Sequence, residues 1–257
     1  MNTSYRSLAA LLCAAVLTSC DKTAVQDITG PVPGSAVKFF NFGVNAPGLN
    51  FYANTTKMTA ISSATGAEAI TGVAYGLAGS SGFYSAIAPG SYTLTGKIAA
   101  VTDKDLAVST VAATFADGKR YSFYASGFYD AVAKNVESFY VEDPIPAAID
   151  YSNAVVRFVN AISNAAPMGL YAKNTTTLAE VAVGTEVAYK AAGVFATLPA
   201  GVYDLNTRYA GSATNVITRA AVSLVAGKVY TIGARGDITI VSTTLTNRPI
   251  LDNTANR

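Results

Sequence analysis

The hydrophobic pattern of this chain has a period of two over most of its length. Bulky apolar residues alternate with polar or small ones in VRFVN (156–160), YDLNTRY (203–209) and VYTIGAR (229–235), as is typical of half-buried β-strands. Turn signals such as PAG, ADG and VAG fall between these segments, and Asp117-Gly118 predicts a hairpin turn. Residues 36–247 show no window with the spacing of three and four that a helix requires. The pattern predicts an all-β protein.

The strands belong to two copies of one domain. Four segments return in the same order: AVKFFNF (36–42) as VVRFVNA (155–161), NAPGLNFYANTT (45–56) as NAAPMGLYAKNTT (164–176), GFYSAIAPGSYTL (82–94) as GVFATLPAGVYDL (193–205), and FADGKRYSF (115–123) as LVAGKVYTI (224–232). We therefore predict repeats at 36–143 and 154–247, a Pro-containing linker at 144–153 and a polar tail at 248–257, with Pro144 equivalent to Pro249. About seven short strands per 100 residues favour two tandem antiparallel β-sandwich domains, Ig-like or transthyretin-like.

The order of VRFVNA, NAAP, LPAGVYDL and LVAGKVYTI in the second repeat resembles the bacterial family called domain of unknown function 4397, which occurs in exported and lipid-anchored proteins. The first repeat departs from this pattern, with FFNF in place of FVNA and an insertion around 62–82. The resemblance implies a sandwich-like β-domain and a location in the cell envelope. It implies no activity.

The first residues predict export and lipidation. Arg6 precedes an apolar stretch, LAALLCAAVL (8–17), which is too short for a permanent span of about 20 residues. LTSC (17–20) then resembles the lipobox of bacterial lipoproteins. We predict a cleaved signal peptide at 1–19, a lipidated Cys20 carrying diacylglyceryl and a further acyl chain such as palmitate, and a flexible tether at 20–35. The expected location is the bacterial envelope, in the cell outer membrane, facing either the periplasm or the cell surface; Asp21 leaves the choice of membrane open.

Composition argues against catalysis and against nucleic-acid binding. Histidine is absent, which removes the commonest general base and the commonest metal ligand. Net charge is +2 with no Lys/Arg run, so no nucleic-acid partner is expected. Cys13 leaves with the signal peptide, so Cys20 is the one cysteine of the mature chain. Asp103 and Asp105 form a weak pair that most simply faces solvent. We predict no enzyme, no metal site and no cofactor.

Aromatic residues are concentrated in the first repeat. Phe and Tyr number 17 between residues 36 and 143 but 7 between 154 and 246, so a core shared by both repeats cannot explain the excess. Alignment with Tyr230 and Ile232 predicts that Tyr121 and Phe123 face the core. Tyr124 then points outward, at the position of Gly233.

Three residues from the stretch FYASGFYD (123–130) form a candidate partner-binding aromatic surface: Tyr124, Phe128 and Tyr129. Packing between the domains and ordinary solvent-facing tyrosines are the alternatives. The sequence thus favours a non-catalytic, membrane-anchored envelope lipoprotein whose tandem β-sandwich module binds a protein or glycan. A purely structural spacer is the alternative, and a hydrolase is the least favoured hypothesis.

Overall fold

A computed structural model describes residues 34–59 and 71–256. The predicted signal peptide, Cys20 and all but the end of the tether lie outside the described residues, as does part of the predicted insertion. Within this part of the chain each repeat contributes nine strands. In the first repeat they are β1 (Ser35–Asn41), β2 (Leu49–Ala53), β3 (Thr56–Lys57), β4 (Leu77–Ala78), β5 (Ser85–Ile87), β6 (Gly90–Ile98), β7 (Ala107–Phe115), β8 (Arg120–Asp130) and β9 (Asn135–Glu142).

The second repeat has the same element order. Its strands are β10 (Asn153–Asn160), β11 (Met168–Asn174), β12 (Glu180–Val187), β13 (Ala191–Ala192), β14 (Ala196–Pro199), β15 (Gly201–Tyr209), β16 (Ile217–Leu224), β17 (Val229–Arg235) and β18 (Ile250–Ala255). A short 3₁₀ turn, Gly79–Gly82, in the first repeat is the one helical element of the described residues.

Each repeat is a sandwich of two sheets. In the first repeat, β4-β1-β8-β9 form one sheet, in which β5 also pairs with β1, and β3-β2-β6-β7 form the other. The second repeat reproduces this with β13-β10-β17-β18, to which β14 is added, and β12-β11-β15-β16. The prediction of two tandem β-sandwiches is confirmed. One sheet of each repeat is mixed rather than purely antiparallel, because β1 runs parallel to β8 and β10 runs parallel to β17.

The two cores follow the predicted alternation. Tyr121 and Phe123 lie in the core of the first repeat, and Tyr230 lies in that of the second. The residues between them face the opposite side of the same sheet. We call the β1-containing and β10-containing sheets the junction sheets, because their outward faces contact each other.

The Asp117-Gly118 turn is tight, as predicted, but it does not close a hairpin. Gly118 has a φ of 70°, which glycine adopts readily. The turn joins β7 of one sheet to β8 of the other, so its flanking strands do not pair. The Asp117 carboxylate accepts a hydrogen bond from the Gly34 N–H and holds the start of the repeat against this turn.

The segment 248–257, predicted as a polar tail, supplies the edge strand β18 instead. This strand pairs antiparallel with β17 and buries Leu251. The sequence ILDNTA looks polar because the second face of the strand lies beside the other repeat rather than in an apolar core. The register aligns Glu142 with Ala255, since they pair with the equivalent Tyr121 and Tyr230. The proposed equivalence of Pro144 and Pro249 was therefore wrong.

Candidate functional site

An aromatic layer joins the two repeats. The junction sheet of the first repeat contributes stacked rings, with centroids 4.7 Å apart for Phe40 and Tyr124 and 4.9 Å apart for Tyr124 and Phe139. Val159 and Ala161 of the second repeat complete this cluster. Buried aromatic area of this kind stabilises an interface strongly, so the two repeats form one packed unit.

The aromatic layer is complementary because large residues of one repeat meet small residues of the other. At equivalent positions of the two repeats, the first has Phe40, Phe42 and Tyr124 where the second has Val159, Ala161 and Gly233. A Cβ on Gly233 would lie 3.0 Å from the Phe42 ring, which is closer than ordinary contact. The aromatic excess of the first repeat at these positions therefore serves packing between the repeats, one of the alternatives left open by the sequence.

The three residues of the predicted aromatic surface do not lie on one surface. Tyr124 points out of its own sandwich as predicted, but the second repeat covers it and leaves it 1% exposed. Phe128 is 43% exposed, whereas Tyr129 is half-buried against the first core. A bulge between Ser126 and Asp130 separates these two from Tyr124. Tyr124 is therefore corrected from a partner contact to a junction residue.

A buried ion pair crosses the junction at one end. Arg157 of the second repeat is fully buried and pairs with Asp143 of the first. Its guanidinium also donates to the Glu142 carbonyl (2.8 Å) and to Thr231 Oγ1 (3.0 Å). Each of its three nitrogens therefore has an acceptor in a site without solvent, as a buried charge requires.

Asp143 organises the first-repeat side of this ion pair. It accepts hydrogen bonds from the Tyr84 hydroxyl (2.6 Å) and from Ser122 Oγ (2.7 Å). Burial raises the pKa of Tyr84, and the Asp143 charge raises it further. The Tyr84 hydroxyl thus remains protonated and keeps donating to the carboxylate.

A second polar bridge repeats the first by approximate two-fold symmetry. Lys38 occupies the place of Arg157. Lys38 pairs with Ser122, the residue after Tyr121 on β8, and Arg157 pairs with Thr231, the residue after Tyr230 on β17. Its ammonium donates to the Ala255 carbonyl (2.6 Å) and to Asn256 Oδ1 (3.1 Å), and it lies 4.3 Å from the centre of the Tyr84 ring. Burial lowers the pKa of Lys38 to about 8.

An open groove lies along the junction between the segment 76–84 of the first repeat and strand β18 of the second; we call it the junction groove. Its larger part has a volume of about 540 Å³, and an adjoining part around Lys38 has about 300 Å³. Phe83 lines both parts and is 73% exposed. These volumes fall in the range of small-ligand sites.

The loop that presents Phe83 is conformationally unusual. Ser80 and Ser81 have φ values of 49° and 54° in succession. Residues other than glycine seldom adopt this left-handed region, and such backbone strain concentrates at functional sites. The GSSG sequence (79–82) gave no prediction of this loop, because its distinguishing feature is backbone geometry, which leaves no pattern of side chains.

The carboxylate pair noted in the sequence, Asp103 and Asp105, lies in a turn. Asp103 forms an ion pair with Lys134 (2.6 Å) in the turn region after β6. Within residues 34–59 and 71–256, no three His, Cys, Asp or Glu side chains lie close enough to hold a metal ion. No helix in the same residues has the length and hydrophobicity needed to cross a membrane.

Comparison with known families agrees with the two-repeat fold. A family model described as "Domain of unknown function (DUF4397)" matches residues 35–171 and, a second time, residues 154–257. This confirms the resemblance noted in the sequence. Comparison with curated proteins gave no match.

Proposed function

Since the chain belongs to the DUF4397 family, whose description names no activity, we propose from its geometry that it is a non-catalytic, membrane-anchored envelope lipoprotein. Its two repeats act together as one binding module for a protein or glycan. The observation that carries this proposal is the junction groove, in which an exposed phenylalanine on a strained loop faces an edge strand of the other repeat. Neither repeat alone forms this groove.

The groove is preorganised by the contacts beneath it. Phe40 and Phe42 belong both to the aromatic layer and to the lining of the larger part. A fixed site binds without the entropy cost of ordering its walls. A purely structural spacer, the alternative, has no use for a strained loop that holds Phe83 in solvent, and this observation favours the binding module.

Strand β18 adds polar recognition to the apolar groove. The Asn256 N–H bonds to the Val229 carbonyl, so Leu251, Asn253 and Ala255 direct their backbone groups away from β17. Asn253 lines the larger part of the groove, although its side chain, opposite Ile232, lies on the core-facing side of the strand. The Leu251 and Ala255 carbonyls already accept from Arg219 and Lys38, so the Asn253 backbone is the part of this edge that an extended peptide or a sugar hydroxyl can contact.

The membrane anchor is a separate part of the proposal and rests on the LTSC motif. Replacement of Cys20 by Ser removes the thiol that takes the lipid. We expect the exported protein to move from the membrane fraction to the soluble fraction and to lose labelling by palmitate, because a protein without acyl chains lacks the anchoring that two signals provide. Cell fractionation with immunoblotting measures this. Cys13→Ser, within the signal peptide, is the control and leaves the protein in the membrane.

The groove is tested by photocrosslinking from its most exposed residue. A benzoylphenylalanine at position 83 of the full-length protein, irradiated in the producing cells, is expected to form a covalent adduct with the ligand. The matched control places the same group at Val194, the equivalent of Phe83 in the second repeat, which is 69% exposed. Mass spectrometry of adducts distinguishes a protein from a polysaccharide.

Adducts from position 83 and none from position 194 support the binding module. If both positions give equal adducts, the crosslinker reacts with any molecule that is near the protein surface, and the groove is not the binding site. Absence of adducts from position 83, together with a loss of function when the 144–153 linker is shortened, favours the structural spacer instead.

A further inference from the structure

Charges are balanced at one end of the junction. There, Arg157 pairs with Asp143, and the neighbouring Lys119 pairs with Glu142 at 2.8 Å. Both Arg157 and Lys119 therefore have a carboxylate of the first repeat beside them.

The two-fold-related site, which hydrogen bonds through Asn256 and Thr231 connect to Arg157, keeps both cations and lacks both carboxylates. Lys38 corresponds to Arg157. Lys228 corresponds to Lys119, because they stand two residues before the equivalent Tyr230 and Tyr121. The register that aligns β9 with β18 puts Asn256 at the position of Asp143 and Ala255 at that of Glu142. Among the described residues, neither Lys38 nor Lys228 has an ion-pair partner.

The missing carboxylate matters most for Lys38, which is 1% exposed. The Asp143 charge favours the Lys38 ammonium, but Arg157 and Arg120 oppose it, so two buried cations share one carboxylate. Neutral oxygens of Ala255 and Asn256 replace part of the lost hydration. A buried cation whose direct acceptors are all neutral gains stability when a further counter-charge approaches it.

A cavity gives a counter-charge access to this end. The smaller part of the junction groove is lined by Lys38, Phe83, Tyr84, Val225, Lys228 and Tyr230, with Ala255 and Asn256 beside them. This lining contains no acidic side chain. Its walls are aromatic and aliphatic, and its two ionisable cations lie one on the floor and one at the exposed rim.

We propose that this cavity binds a small amphipathic carboxylate. The carboxylate lies beside Lys38 on the side of the cavity, next to the Asn256 amide that stands where Asp143 stands beside Arg157, and the apolar body of the ligand lies against Phe83 and Val225. The inference rests on the proposed function, of which it specifies the ligand class at one end of the groove. The third N–H of Lys38, beyond those given to Ala255 and Asn256, and the attraction by Lys228 supply the selectivity for an anion.

The test compares a carboxylate with its neutral isostere. The mature lipidated protein, in phosphatidylcholine nanodiscs, is titrated by calorimetry with 4-phenylbutyrate, 4-phenylbutanamide and inorganic phosphate, with empty nanodiscs as the blank. We expect 4-phenylbutyrate to bind at least about tenfold more tightly than the other two, since the amide lacks the charge and phosphate lacks the apolar body. Equal affinity for acid and amide would overturn the inference.

Asn256→Asp provides an internal competitor for the ligand. The new carboxylate restores at Lys38 the pairing seen at Arg157, and the Thr231 hydroxyl, which now accepts from Asn256 Nδ2 at 2.6 Å, can donate to it instead. We expect at least about tenfold weaker 4-phenylbutyrate binding with a melting temperature equal to or above that of the parent. A loss of affinity with a raised melting temperature cannot come from misfolding. Unchanged affinity in Asn256→Asp would count against the site.

Two more variants separate the two proposals. Lys38→Met keeps the aliphatic stem and removes the charge, and we expect it to bind acid and amide alike. Ala255→Glu gives Lys228 the partner that Lys119 has and is expected to weaken binding of the acid alone. If acid binding follows these charges while position 83 yields no cellular adduct, the anion site stands and the proposed function fails. If position 83 yields adducts but the charge variants change nothing, the reverse holds.

Discussion

Asp143→Asn will lower the free energy of unfolding by about 3–5 kcal/mol, because it leaves the Arg157 guanidinium buried without its counter-charge. Both side chains of the ion pair have no solvent exposure. The substitution also weakens the acceptor for Tyr84 and Ser122. For a chain of this size, such a loss corresponds to a melting temperature lower by roughly 6–20 °C. Urea unfolding followed by circular dichroism measures it.

The neighbouring residue provides the control for this prediction. Glu142→Gln removes the charge of a carboxylate whose ion pair with Lys119 is solvent-exposed, and we expect no measurable loss of stability. The Glu142 backbone carbonyl, which accepts from Arg157, is retained in this variant. A loss below about 1 kcal/mol for Asp143→Asn would mean that water reaches Arg157, and the junction would then be less closely packed than described.

The sequence predicts the fold of each repeat well because the information is local. Alternation by two identified the strands, and internal similarity identified the two copies. The alignment of Tyr121 and Phe123 with the second repeat correctly separated core residues from the outward-facing Tyr124. These inferences depend on the alternation of side chains between the two faces of a sheet, which the sequence of each strand already shows.

The junction was harder to predict because it depends on contacts between the two repeats, from Asp143 with Arg157, 14 positions apart, to Lys38 with Ala255, 217 positions apart. The sequence did contain a signal: Lys38 and Arg157 stand at equivalent positions inside apolar runs, AVKFFNF and VVRFVNA. Charged residues embedded in such runs on an outward face indicate a covered face with internal partners. The same oversight hid β18, whose polar side chains were assigned to solvent although they lie beside the first repeat.

The groove could not be predicted from patterning at all. It depends on the φ values of Ser80 and Ser81 and on the approach of β18, neither of which leaves a period in the sequence. The charge asymmetry behind the proposed anion site likewise becomes visible once the register aligns Asp143 with Asn256. Simple alignment of the two copies had placed the end of the second repeat too early.

Tyr124→Ala should destabilise the protein by about 3–5 kcal/mol, as for other aromatic side chains deleted from a core. The loss arises because the Tyr124 ring stacks on Phe40 and Phe139 and lies under the second repeat. Tyr124→Phe keeps the ring and should stay within about 1 kcal/mol of the parent, whereas Phe128→Ala, at a 43% exposed position, should change stability little. Urea midpoints of the three variants measure these differences. If Tyr124→Ala were as stable as the parent but lost its photocrosslinked ligand, Tyr124 would be a binding residue after all, and the two repeats would have to separate to expose it.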